Sequence, residues 1–261
     1  MFRRKLTCCA LGFVLLGSCS VKSDRALCPT LLCLNLSGGD ENAMDIYIKG
    51  SDTPYLHATQ ISKAAGENAQ VSFEIDKGEA SVIAVSGLHD CFIEDGTLFS
   101  PDSGSMDEIF AFSTDFEAEG DVKIIDGELH RQSAFLFLDI VSSDEDNYPF
   151  YVGVKSNTCG IDLGSMLPVK GSFSAMLHPI LGVSHRICLP RQADDSLSLE
   201  FYDSRLHRDA SSPVDKLDIG LIISASGYDW KAEDLDDIYV SLDYNDASVS
   251  VSVVPWNRVE L

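Results

Sequence analysis

Hydrophobic and polar residues alternate along most of this chain, in short runs separated by turn-forming residues. Leu32, Leu34 and Leu36 alternate with Cys33 and Asn35, the pattern of a strand with one face buried. Ile46 and Ile48 share one face of a second strand over Asp45 to Lys49, and Val71, Phe73 and Ile75 share one face of a third. Asp76-Lys77-Gly78-Glu79 then predicts a turn, with the chain returning through Ala80 to Val85 as the second arm of a hairpin. Further β runs follow at Cys91 to Ile93, Gly96 to Phe99 and Val122 to Ile125. Between them, Ser105 with Glu108 three residues on is a capping pattern for one brief helix.

A second cycle begins after Asp126-Gly127. Ala134 to Val141, Phe150 to Val154 and Leu197 to Phe201 read as strands, and Ser142 to Asn147 as an acidic loop. Leu217 to Ser224 is strongly apolar, as a central strand would be. Ile238, Val240 and Leu242 form one more alternating face, Asn245-Asp246 a turn, and Val249, Val251 and Val253 a last face set against Ser248, Ser250 and Ser252. No stretch has the sustained 3.6-residue period of an amphipathic helix, and no fixed-length repeat marks a solenoid or propeller. Many short strands in two cycles predict an all-β protein of two β-sandwich domains, residues 28–126 and 127–261.

The first residues follow another rule. Arg3, Arg4 and Lys5 precede an apolar run from Leu6 to Leu16, then Gly17, Ser18 and Cys19. A basic start, a short apolar stretch and small residues predict a secretory signal peptide over residues 1–18. The run is shorter than the roughly 20 residues a spanning helix needs. Leu15-Leu16-Gly17-Ser18-Cys19 resembles a bacterial lipobox, which predicts fatty acylation (palmitate) of Cys19 and a polar tether over residues 19–27. What remains is long enough for two domains of roughly 100–120 residues each.

Charge narrows the partners. The chain carries a formal charge of −22, and loss of the basic signal leaves it more negative still. Such a surface repels nucleic acid and anionic headgroups, so no nucleic-acid partner is expected. Five cysteines remain after the signal and Cys19, namely Cys28, Cys33, Cys91, Cys159 and Cys188, an odd number that leaves at least one unbridged. Cys28 and Cys33 on one extended strand would lie about 17 Å apart, beyond disulfide reach. Cys159 with Cys188 is the candidate disulfide, against buried inert thiols throughout.

Catalytic patterns are missing: no Gly-x-Ser-x-Gly, no His-Glu-x-x-His and no phosphate-cradling loop. His178, His185 and Cys188 match no standard zinc spacing, and Asp144-Glu145-Asp146-Asn147 lacks the spacing of a calcium loop. The expectation is a non-enzyme with no cofactor and no bound metal.

Taken in order, the lipobox, the tether, Cys28-Pro29, Asp45-Ile46-Tyr47-Ile48, the Lys77-Gly78-Glu79 turn into Val82-Ile83-Ala84-Val85, the strand after His130-Arg131, and the closing Val251 to Trp256 form a pattern. It resembles the minor fimbrial subunits and anchor lipoproteins of Bacteroidetes, the FimB-type fimbrillin-associated group. The resemblance implies two tandem transthyretin-like (Greek-key) β-sandwiches. It also implies a cell-surface adhesion role in a fimbria (pilus) held at the outer membrane by lipid, with fimbrillin subunits as partners through donor-strand exchange. Val249, Val251 and Val253 are then the candidate donor strand, although the same alternation suits an internally paired last strand. The alternative function is a surface glycan-binding lipoprotein, with Trp230, Tyr228 and Tyr202 as a sugar platform.

Overall fold

The computed structural model describes residues 28–39, 43–50, 56–62, 68–102, 104–141, 150–203, 212–243 and 248–256. The signal peptide, Cys19, the tether, the Ser142 to Asn147 loop and the Asn245-Asp246 turn lie outside the described residues. The strands are β1 (Thr30–Gly38), β2 (Ala43–Gly50), β3 (Leu56–Ser62), β4 (Ala69–Ile75), β5 (Gly78–Ser86), β6 (Phe92–Glu94), β7 (Thr97–Phe99), β8 (Phe110–Ala118) and β9 (Val122–Arg131). They continue as β10 (Ser133–Val141), β11 (Phe150–Asp162), β12 (Leu167–Leu177), β13 (His185–Pro190), β14 (Ser198–Asp203), β15 (Asp215–Asp218), β16 (Asp237–Asp243) and β17 (Ser248–Val254), and the one helix among the described residues, α1 (Gly220–Ala225), lies between β15 and β16. The protein is nearly all β and built of several sheets, as the alternation predicts.

β3-β2-β5-β8-β9-β1-β4 form one path of hydrogen-bonded neighbours, in which β1 and β9 run parallel. β8 meets β9 only at Phe110↔Arg131 and Ala111↔His130, so the path divides into two layers. Leu32, Leu34 and Leu36 of β1, Met44 and Ile46 of β2, and Val82 and Ala84 of β5 fill one core between them. Each fully buried aliphatic side chain of this kind contributes about 1.5–3 kcal/mol. The hairpin expected around Lys77-Gly78 is not formed: β4 pairs with β1, whereas β5 pairs with β2 and β8. That turn is a crossover. Val71, Phe73 and Ile75 reach the same core as Val82 and Ala84 without pairing beside them.

The remaining strands make a four-stranded sheet, β13-β10-β16-β17, and a six-stranded arrangement, β15-β14-β11-β7-β6 with β12 also on β11. Together they enclose a larger core that includes Leu136, Val152, Leu199 and Ile238. Leu217 to Ser224, expected as a central strand, is instead the end of the short β15 followed by α1. Ile219 and Ile223, four apart, are both 0% exposed while Leu221 is 62% exposed, which is a helical rather than an alternating burial pattern. The brief helix expected from Ser105 and Glu108 is also absent, because the polar groups there bind other segments. Ser105 Oγ accepts the Cys188 N–H at 2.7 Å, and the Asp107 carboxylate accepts the N–H groups of His89, Asp90 and Cys91 at 2.7–2.8 Å.

The expected boundary at Asp126-Gly127 falls inside β9, which pairs continuously with β1 across it, Asn35↔Asp126 and Leu36↔Gly127. β7 joins the later sheet by pairing with β11, where Gly160 lets the Leu98 carbonyl approach so closely that any side chain would overlap it. Ile83, Val85, Met106 and Ile109, all before that boundary, lie in the larger core.

Cys159 and Cys188, the candidate disulfide, are both free thiols. Cys159 Sγ faces the Val169 carbonyl at 3.7 Å, and the buried Cys188 Sγ donates to the Asp107 carbonyl at 3.3 Å. Burial pushes the Cys188 thiol up to about 12, so it stays protonated and unreactive at neutral pH.

Asp107 gives a pH prediction. Burial would raise its pKa, but the three backbone N–H groups favour the carboxylate and hold it below the ordinary 3.8. Its contribution to stability is complete above that value and is lost as pH falls through the depressed pKa. Asp107→Asn should flatten the loss of stability with falling pH in that acid range. Equilibrium urea unfolding at stepped pH checks this, and parallel curves for the two proteins would refute it.

Candidate assembly edge and the neighbouring cleft

β17 closes the four-stranded sheet by pairing antiparallel with β16, Ile238↔Val253, Val240↔Val251 and Leu242↔Val249. Val249, Val251 and Val253 pack against the larger core, and Ser248, Ser250 and Ser252 are exposed. In the isolated chain these valines are thus the inward face of the protein's own last strand. The other edge of β17 has no strand partner among the described residues. Beside it Val249 and Leu242 line an apolar groove of about 270 Å³ with Phe150, Phe201, Val214 and Leu217, between the edges of the two sheets.

The ends of this strand pair are anchored by Arg131, which sequence reasoning noted only as part of a pattern. Its side chain is 0% exposed. Nη1 donates to Asp237 Oδ1 at 2.7 Å and to the Leu235 carbonyl at 3.1 Å, while Nε lies 3.1 Å from Glu108 Oε1. The guanidinium also lies over the rings of Phe135 and Trp256, at 5.0 and 5.5 Å. Trp256, two residues past β17, is held in turn by its own N–H on Asp236 Oδ1 at 2.8 Å. One buried cation therefore ties β9 to the segments on either side of the β16–β17 pair.

The three aromatics considered as a sugar platform are not brought together as one. Tyr228 is buried, its hydroxyl donates to the Asp236 carbonyl at 2.7 Å, and burial raises its pKa far above the ordinary value. Tyr202 sits on β14, where its hydroxyl accepts from Lys155 and donates to Glu200. Trp230 is half-buried against Tyr228, with ring centroids 4.5 Å apart and tilted by 60°. It lines a separate cleft of about 820 Å³ bounded by β8, β9, the β11–β12 turn and the segment after β13. His178, His185 and Cys188 are engaged separately: His178 against the Tyr151 ring, His185 Nε2 as acceptor for the Ile180 N–H, and Cys188 within the core.

No protein-family model matches the chain, and neither does any curated protein. Its likeness is to solved structures. A candidate polysaccharide-binding protein from Bacteroides thetaiotaomicron aligns over 89% of this chain and 100% of its own, with TM-score 0.61 and 11% identity. The fimbrial anchor protein Mfa2 from Porphyromonas gingivalis aligns over 88% and 98%, with TM-score 0.58 and 12% identity. A candidate adhesin from Bacteroides ovatus aligns over 88% and 94%, with TM-score 0.58 and 11% identity. The chain shares the fold of these Bacteroidetes fimbrial and adhesin-like proteins.

Proposed function

We propose that this protein is a non-enzymatic structural subunit of a fimbria, a FimB-type anchor or minor subunit built of two tandem transthyretin-like sandwiches. It is held at the outer membrane by an acylated Cys19 and joined to fimbrillin subunits by β-strand exchange. The observation that carries this reading is the edge of β17, a regular strand whose outer N–H and C=O groups have no strand partner among the described residues, beside an apolar groove. An unpaired edge of this kind is a template for another chain's strand, with main-chain hydrogen bonds supplying affinity and alternate side chains supplying register. The shared fold with a protein named as a fimbrial anchor supports it, as does the lipobox ahead of a polar tether.

Two readouts in the native bacterium test it. A photo-crosslinking side chain at Ser250 or Ser252 should capture a fimbrial subunit, and capture of none would refute assembly at this edge. Cys19→Ser should abolish lipid labelling and move the protein from the membrane to the soluble fraction, since each buried acyl CH₂ contributes about 0.8 kcal/mol and two chains give stable anchoring. A Cys19→Ser protein that stayed lipid-labelled and membrane-bound would refute the anchor.

A further inference from the structure

A sheet edge offers a row of N–H and C=O groups to any other strand, and folded chains guard such edges with charge, proline, bulges or shortness. Other edges of this protein are guarded in those ways. β4 carries Glu74, and β13 carries Arg186 and ends on Pro190. β15 is four residues long with Asp215, Lys216 and Asp218, and β6 is three residues long with Glu94. β17 has none of these devices. It pairs with β16 along its whole length without a bulge, and its seven residues include no charge and no proline. In a chain with 41 acidic and 19 basic residues, this neutral edge stands out.

The order of its residues is a second observation. Val249-Ser250-Val251-Ser252-Val253 reads the same in both directions. A second copy related by a two-fold axis at Val251 therefore meets this edge antiparallel with like side chains opposed. Val251 faces its own counterpart, Val249 faces Val253, Ser250 faces Ser252 and Ser248 faces Val254, so the whole strand pairs. Valines fall on the core side and serines on the solvent side in both copies. Val249, Val251 and Val253 are only half-buried in one copy, and cross-strand contact with the valines of the other covers their open side. Beyond Val254 the chain is held on the β16 side, by the Trp256 N–H on Asp236 Oδ1 and by its ring over Arg131, away from the outer edge.

We propose that β17 pairs antiparallel with β17 of a second copy across a two-fold axis at Val251, joining two four-stranded sheets into one of eight strands. One edge accepts one strand, so the dimer keeps this edge covered until a fimbrial strand displaces the copy. That protective role rests on the proposed assembly; the pairing itself does not.

Sedimentation equilibrium of the mature chain from Ser20 onward tests the pairing, in reductant so that half-buried Cys28 and Cys33 cannot bridge two copies. A reversible monomer–dimer equilibrium is expected, with Kd below about 0.2 mM. A chain this acidic repels its copy, so raising salt from about 0.02 M to about 0.5 M should tighten the dimer several-fold. The exposed serines report the register. Ser250→Asp with Ser252→Asp, and separately Ser250→Lys with Ser252→Lys, set like charges opposite one another. Each pair should weaken the dimer by roughly tenfold or more at low salt, with the melting temperature nearly unchanged because both positions are exposed. An equimolar mixture of the two variants should dimerise at least as tightly as the parent, since each Asp then faces a Lys. A chain that stays monomeric, a dimer that both variants retain, a dimer that salt disperses, or a mixture no tighter than its components would each overturn the pairing. Capture of a fimbrial subunit in the bacterium is read separately, so loss of the dimer leaves the assembly standing and loss of that capture leaves the dimer standing.

Discussion

Arg131→Met is expected to cost the folded protein about 3–5 kcal/mol, the range for removing one partner from a buried ion pair. Methionine keeps much of the aliphatic volume but leaves Asp237 Oδ1 with only the Phe135 N–H at 3.2 Å. Glu108 is less exposed to loss, since its side chain is 37% accessible and can regain water, which places the expected value toward the lower end of the range. Stacking on Phe135 and Trp256 is lost as well. Urea unfolding should show a lower midpoint at unchanged slope, because the surface exposed on unfolding is the same. A loss under about 1 kcal/mol would show that the hub contributes no more than a surface ion pair. Cleavage by protease near Trp256 should rise in parallel if the cation anchors the end of β17.

Val251→Asp should destabilise the isolated protein by several kcal/mol and lower its melting temperature sharply. Val251 pairs with Val240, which is 1% exposed, and its side chain packs on the larger core. A carboxylate there loses water without gaining a counter-ion. A one-residue slip would move the charge outward but would bury Ser250 and Ser252 in place of valines, so no register relieves it. Ser250→Asp is the control: the same charge one position away, on the exposed face, should change stability by under about 0.5 kcal/mol. Equal effects from the two substitutions would mean that β17 does not pair with β16 in solution. A strand left free in the monomer and ordered only in a neighbour would behave in that way, so the experiment also reports which form of strand exchange the proposed assembly uses. If β17 stays docked, exchange takes place at its outer edge; if it is free, β17 is the strand donated.

Period-two burial was legible wherever one face of a strand meets one core. Leu32, Leu34 and Leu36 are 0% exposed and Ile238, Val240 and Leu242 are all buried, as their alternation requires. The inward valines and outward serines of β17 were equally legible, because a strand's side chains point to its two faces whatever its partner. Partner choice was not. β4 and β5 follow one another around a good turn yet pair with β1 and with β2 and β8, since pairing is decided by which layers enclose a common core. The run Val82 to Val85 held a signal that alternation alone does not interpret. Val82 and Ala84 enter the smaller core and Ile83 and Val85 the larger, so β5 is apolar on both faces where the cores meet.

Local sequence thus determined the all-β class, most strand positions, and which side of each strand is dry. Tertiary structure alone decided the rest, because it depends on groups distant in sequence. Leu217 to Ser224 splits into β15 and α1 because Ile219 and Ile223 are buried and Leu221 is not. Arg131 becomes a hub only when Asp237, Glu108 and Trp256 converge on it, and Cys159 and Cys188 stay thiols because each is engaged elsewhere. Gln192 likewise reads as an ordinary polar residue until burial removes its water and leaves its carbonyl oxygen without a donor among the described residues.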